Sequence, residues 1–210
     1  MHDPKMFEKI ANGAGFIAAL DQSGGSTPKA LRGYGIDEDA YSNDEEMFGL
    51  IHDMRTRIIT SPSFSNGKVI GAILFERTMD GTAEGKPVPV ALWERGVVPF
   101  LKVDKGLEDE ADGVQMMKPM PELDTLLARA KEKGVFGTKK RSVINSASPK
   151  GIAAIVQQQF EVAEQILAHG LMPIIEPEVN IKSTDRAQSD AILRDEILKA
   201  LDNVSGDHKV

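Results

Sequence analysis

Five apolar runs, four of them closed by charged residues and one, Val135–Ile144, carrying three basic residues in its middle, constrain this chain more than any other feature. They are Gly15–Asp21, Val69–Phe75, Val97–Gly106, Val135–Ile144 and Leu171–Val179. The third is the clearest: Val97-Val98-Pro99-Phe100-Leu101 runs straight into Lys102, Asp104 and Lys105 and stops at Gly106. Near-continuous apolar runs mark strands covered on both faces, which is the condition of a parallel sheet. Strand side chains alternate, so Lys102 and Asp104 share one face while Leu101 and Val103 share the other. A lysine held at such a strand end is either salt-bridged or chemically active. Asp104 and Lys105 read as rim ion pairs, which are commonplace.

The stretches between the strands carry helical spacing and helix punctuation. A short helix is expected over Met6 to Asn12. Ser42 with Glu45, or Asn43 with Glu46, resembles a capping box, and Met47, Leu50, Ile51, Met54 and Ile58 follow at core-facing intervals. Pro121 opens a helix with the stripe Leu123, Leu126, Leu127 and Ala130, stopped by Gly134. Ser148 as cap and Pro149 as first helical residue begin the clearest helix, with Ile152, Ile155, Val156, Phe160, Ala163, Ile166 and Leu167 as its stripe and Gly170 as its end. A last helix is expected from about Thr184 to Leu201. Asp80 to Val90 reads as a polar loop, and Leu107 to Met120, without a clear period, as another.

Strands alternating with helices specify a βα repeat and a parallel sheet. Polar residues stand at or near every strand end rather than at one crevice, and that distribution favours a (β/α)8 barrel over an open doubly wound sheet. The expected fold is therefore an α/β (β/α)8 barrel in one domain, with strands one to five present. His208-Lys209-Val210 reads as the start of a sixth, so the domain is incomplete at the C-terminus.

Composition narrows the function. The 210 residues are 41% hydrophobic and 27% charged, with a net charge of -7. An acidic chain is a poor fit for nucleic acid, which needs a concentrated basic surface. No cysteine is present, which excludes disulfides and thiol chemistry. The four histidines are scattered without ligand spacing, so no metal is expected. No run approaches the ~20 apolar residues of a membrane span, and a cytoplasmic location is expected. A homo-oligomer is left open.

In a barrel, Asp21, Lys102, Lys139, Arg141, Glu176 and Glu178 converge on one mouth. Lysines mixed with carboxylates suit carbonyl chemistry on a phosphorylated substrate, since a desolvated lysine becomes a nucleophile or base and a carboxylate shuttles protons. Arg141 and a lysine can hold phosphate. The segment Gln22 to Lys29, with Gly24 and Gly25 between Ser23 and Ser26, offers amides and hydroxyls to an anion, or is a plain strand-to-helix turn. Blander readings stand beside these. Lys102 could pair with Glu176, the run Lys139-Lys140-Arg141 could guard an edge strand, and Glu178 could be loop.

The motifs Ala19-Leu20-Asp21-Gln22-Ser23-Gly24-Gly25-Ser26, Gly71-Ala72-Ile73-Leu74-Phe75, Leu101-Lys102-Val103-Asp104-Lys105-Gly106, Lys139-Lys140-Arg141-Ser142-Val143 and Pro173-Ile174-Ile175-Glu176-Pro177-Glu178, in this order, resemble class I fructose-bisphosphate aldolase in its bacterial branch. The resemblance covers the chain from about Gly13 onward. It implies a barrel that cleaves fructose 1,6-bisphosphate reversibly through a lysine Schiff base, in glycolysis, without metal or other cofactor. By motif, Asp21 assists proton transfer and C–C cleavage, and Lys102 lies near the C6 phosphate with Ser23 and Ser26. Lys139 and Arg141 support carbinolamine formation and bind substrate. Glu176 is the general acid/base of imine formation, with Glu178 as its companion. The family's imine lysine sits on the sixth strand, just past the last residue here. The later Gly- and Ser-rich loop and the arginine that hold the C1 phosphate are also missing. Two alternatives follow: a non-catalytic barrel fragment that binds sugar phosphate, or a different Schiff-base aldolase using Lys102 or Lys139.

Overall fold

Local rules place three of the helix starts, at Asp3, Asn43 and Ser148, where side chains take up free backbone amides. The computed structural model describes residues 3–23 and 25–204. Its helices are α1 (Pro4–Asn12), α2 (Thr27–Gly33), α3 (Asp44–Thr60), α4 (Glu76–Asp80), α5 (Val88–Glu94), α6 (Leu123–Glu132), α7 (Pro149–Ala168) and α8 (Arg186–Leu201). Its strands are β1 (Phe16–Leu20), β2 (Val69–Leu74), β3 (Thr82–Ala83), β4 (Lys86–Pro87), β5 (Val98–Lys102), β6 (Val114–Gln115), β7 (Gly137–Ile144) and β8 (Met172–Val179). The five expected strands are β1, β2, β5, β7 and β8. Of the two capping boxes considered for α3, the structure takes Asn43: its Oδ1 accepts the Glu46 amide at 3.0 Å, while Glu46 accepts the Ser42 amide at 2.7 Å. Ser148 Oγ accepts the Gly151 amide at 3.2 Å and so starts α7. The expected strand at His208 to Val210 lies outside the described residues.

The chain divides into two compact units. One comprises the described part of His2–Lys102 with Arg129–Phe136, and the other Val103–Ala128 with the described part of Gly137–Val210. In the first unit β1, β2 and β5 pair in parallel, with Leu20 opposite Leu74 and Leu74 opposite Leu101. Gly71 on β2 is required by close approach, since a Cβ there would lie 3.2 Å from both the Phe100 ring and the Val98 carbonyl oxygen. Leu31, Met47, Ile51 and Met54 pack α2 against α3.

In the second unit β7 and β8 run parallel over eight residue pairs, from Gly137 opposite Met172 to Ile144 opposite Val179. Val114, Ile144, Ile152, Ile155 and Val179 form its core beneath α7. Parallel pairing with a following helix on each strand is the βα repeat expected from the sequence.

Two regions differ from the loops expected of them. Within Asp80 to Val90 the chain makes the hairpin β3–β4 and begins α5. Within Leu107 to Met120, β6 pairs antiparallel with the end of β7. Each contains a two-residue turn with both φ positive, Glu84-Gly85 at 51° and 78° and Asp112-Gly113 at 51° and 73°. Asp-Gly is a signature of such turns and was the signal available at Asp112-Gly113, whereas at Glu84-Gly85 the sequence offered only the glycine.

Candidate active site

The second unit builds a two-rung ladder of charge from strand periodicity. Lys139 and Arg141 lie two apart on β7 and share a face; Glu176 and Glu178 do the same on β8. The register sets Lys139 opposite Ile174 and Arg141 opposite Glu176. Each cation reaches diagonally one step along the neighbouring strand. Lys139 Nζ lies 3.4 Å from Glu176 Oε2, and Arg141 Nη1 lies 3.2 Å from Glu178 Oε2. Diagonal neighbours in a sheet are within reach of long side chains.

The two rungs differ in exposure. The Lys139 side chain is 14% exposed and that of Glu176 31%, whereas Arg141 and Glu178 are 43% and 44% exposed. The inner pair is poorly hydrated, so its charges interact more strongly than the outer ones. The outer rung is placed to meet a solute. β7 pairs with β8 over its whole length, and on its other side the Val103 amide donates to the Lys139 carbonyl at 2.9 Å, so the basic run does not guard an edge strand. Nor is Glu178 a loop residue, since it lies within β8.

Asp104 also differs from its expected rim position. It is 8% exposed, and its carboxylate accepts the amides of Gly106 and Arg141, each at 3.3 Å. A carboxylate holding two backbone amides fixes the loop after Val103 and the strand carrying Arg141. Lys105, by contrast, is exposed as expected.

In the first unit, the Ser23 carbonyl organises the turn after β1. It accepts the amides of Ser26 and Thr27 at 2.9 Å each, the Thr27 hydroxyl at 2.9 Å and the Ser26 hydroxyl at 3.2 Å. Ser26 is exposed and Ser23 half-buried. Gly24 lies outside the described residues. Asp21 and Lys102 are half-buried at the C-terminal ends of β1 and β5.

Arg55 was not among the residues the sequence singled out. It sits on α3 and is 1% exposed. Nη1 donates to Thr78 Oγ1 at 2.6 Å, and Nη2 to the Gln22 carbonyl at 2.7 Å and Gln22 Oε1 at 3.1 Å. Burial lowers its pKa to about 10, partly opposed by the negative charge of Asp21. A cation thus stands behind the β1 strand end and holds the residue that follows Asp21. Its position one residue after Met54, beside the apolar stripe, was the only signal.

Lys140 and Gln159 were likewise missed. Both are 0% exposed, on the side of β7 that faces α7. Among the described residues, no group of histidine, cysteine and carboxylate side chains is arranged to hold a metal ion. No helix among them is long and apolar enough to cross a membrane.

The family model for fructose-bisphosphate aldolase class-I matches residues 5–210. Among solved structures, the fructose-bisphosphate aldolase of Plasmodium falciparum, crystallised with TRAP and a small-molecule inhibitor, superposes with a TM-score of 0.74 at 21% identity. The match covers 93% of this chain and 58% of that one. At that identity the likeness shows the fold, a (β/α) barrel of which this chain carries a part. The arginine decarboxylase of Paramecium bursaria Chlorella virus matches at a TM-score of 0.40 and 17% identity, over 67% of this chain and 38% of that one.

Proposed function

Because the chain belongs to the class-I fructose-bisphosphate aldolase family, we propose that it serves the reversible cleavage of fructose 1,6-bisphosphate to dihydroxyacetone phosphate and glyceraldehyde 3-phosphate. The observation that carries the reading is the Lys139–Glu176 pair, 3.4 Å apart on adjacent parallel strands and only partly exposed. A lysine amine that attacks the substrate C2 carbonyl forms a carbinolamine, which must lose its hydroxyl as water. In this reading Glu176, in its acid form, gives the hydroxyl the proton with which it leaves as water, and the adjacent Lys139 charge stabilises the carboxylate that remains. Breaking the C3–C4 bond then requires a base for the C4 hydroxyl proton, while the electron pair moves into the imine to give an enamine.

The remaining assignments follow the same reading. Glu178 is the companion carboxylate, Arg141 binds substrate on the open rung, and Asp21 assists proton transfer in its own unit. Lys102, Ser23 and Ser26 bind phosphate. The imine-forming lysine is assigned to the part of the family chain that these 210 residues do not span. The reaction belongs to cytoplasmic glycolysis and needs no metal.

Borohydride trapping with dihydroxyacetone phosphate tests the reading in the full-length protein. One reduced adduct, mapped by peptide mass to a lysine after Val210 and formed equally well with chelator present, is the expected result. An adduct on Lys102 or Lys139 would redraw the roles above. Absence of any adduct would remove Schiff-base chemistry and favour a sugar-phosphate-binding fragment.

A further inference from the structure

The buried stripe of α7 is apolar at Ile152, Ile155, Val156, Phe160, Ala163 and Ile166, and one side chain on it breaks the pattern: Gln159, 0% exposed. An amide set where a helix packs on a sheet costs desolvation unless its polar atoms find partners. Gln159 finds four. Its Nε2 donates to Ser142 Oγ at 2.9 Å, and more loosely to the carbonyls of Lys140 at 3.3 Å and Glu176 at 3.4 Å. Its Oε1 accepts the Glu176 amide at 3.4 Å. A position that departs from the local pattern, yet is satisfied by distant partners, is where a functional constraint is expected.

Those partners meet at one point of the strand register. Arg141 stands opposite Glu176, and Lys140 and Ser142 flank Arg141 on β7. The Gln159 amide therefore lies across both strands, behind the place where one member of each charged rung sits. Alternation sends the side chains of Lys139 and Arg141 to the face opposite Ser142. Gln159 thus bonds no charged group of the rungs; it holds the backbone from which the Glu176 side chain departs. In front, that side chain brings Oε2 to 3.4 Å from Lys139 Nζ. A shift of the Glu176 main chain would carry its carboxylate with it, and a displacement of about 1 Å at a reacting group can cost about 10²-fold in rate.

We propose that Gln159 is a positioning residue of the candidate site: by holding the amide and carbonyl of Glu176 against Lys140 and Ser142, it fixes the Glu176 carboxylate beside Lys139. The proposal rests on the reading of Glu176 as the acid/base of imine formation.

A double-mutant cycle in the full-length protein tests it, with cleavage kinetics measured below the unfolding transition of every variant. Gln159→Met keeps the length and the packing of the side chain but loses the amide. It is expected to lower kcat about tenfold with KM within about twofold. In a Glu176→Gln background the same substitution should change kcat by less than about twofold, because no carboxylate remains to be placed. Ser142→Ala removes the nearest anchor of the amide and should give a smaller loss, about threefold, that also vanishes in Glu176→Gln. An unchanged kcat in Gln159→Met, or an equal loss with and without the Glu176 carboxylate, overturns the proposal, since packing alone acts in both backgrounds. If Gln159→Met does not fold, the Ser142→Ala cycle decides by the same criterion. Turnover that survives Glu176→Gln strikes the reading of Glu176 and the proposal with it; turnover lost there, with additive substitutions, strikes the proposal alone.

Discussion

Each compact unit keeps a buried cation associated with a candidate carboxylate, yet the two cations are held in opposite ways. Arg55 beside Asp21 is fixed by three hydrogen bonds to neutral acceptors, from Thr78 and Gln22. Lys140 beside Glu176 makes one, at 3.3 Å. A planar guanidinium matches several acceptors at once and stays charged at any physiological pH, even with a pKa lowered to about 10. An ammonium is a compact charge that needs water or many acceptors, and with neither it sheds its proton near neutrality. The first unit thus owns a permanent cation and the second a titratable one.

The largest expected effect sharpens the contrast at the carboxylates themselves. Glu176→Gln, in the full-length protein, should lower kcat by about 10²- to 10⁴-fold with KM little changed, because the lost group moves a proton rather than binding substrate. Steady-state kinetics check this, and equal turnover would remove Glu176 from the mechanism.

Stability against pH separates the two cations. The folded pKa of Lys140, about 7, lies below its ordinary 10.5. Between those values the unfolded chain holds the proton and the folded one does not, so this group makes stability rise with pH. Below pH 7 both states are protonated and the folded state carries the full penalty, about 5 kcal/mol at most. Urea unfolding at pH 6 and pH 9 should show that rise, and Lys140→Met should flatten it. A slope that survives the substitution would assign it to another group.

Truncating the two cations should also have opposite signs. Arg55→Met leaves Thr78 Oγ1 and the Gln22 carbonyl without their donors and should destabilise by about 3 kcal/mol. Lys140→Met at pH 6 removes a buried charge with one partner and should be neutral or stabilising by about 1 kcal/mol. Thermal unfolding of the pair at one pH is enough; equal losses would mean that both cations are structural.

Much of this arrangement was legible in the chain. Apolar runs bearing charge located five strands, and the spacing of Lys139 with Arg141 and of Glu176 with Glu178 put each pair on one face before any coordinates. The caps at Asn43 and Ser148 were readable because a cap involves residues three apart. The missed features have partners far away. Arg55 finds Gln22 at a separation of 33 residues and Thr78 at 23, and Lys140 finds Ile174 at 34. Asp104 looked like a rim charge because its carboxylate is taken up by an amide 37 residues on. The hairpin at Thr82 to Pro87 was obscured differently: two-residue strands are too short to display a period, and only Gly85 announced them.

By itself the sequence determined the order of strands and helices, the faces on which charged residues lie and the family they resemble, because those properties are written in spacings of two to four residues. What each charge meets was decided only by the tertiary structure. Lys139 and Lys140 are adjacent and chemically identical, and one meets Glu176 across the front of the strands while the other is shut between strand and helix. Their difference comes from desolvation, and the water a side chain loses depends on what folds over it.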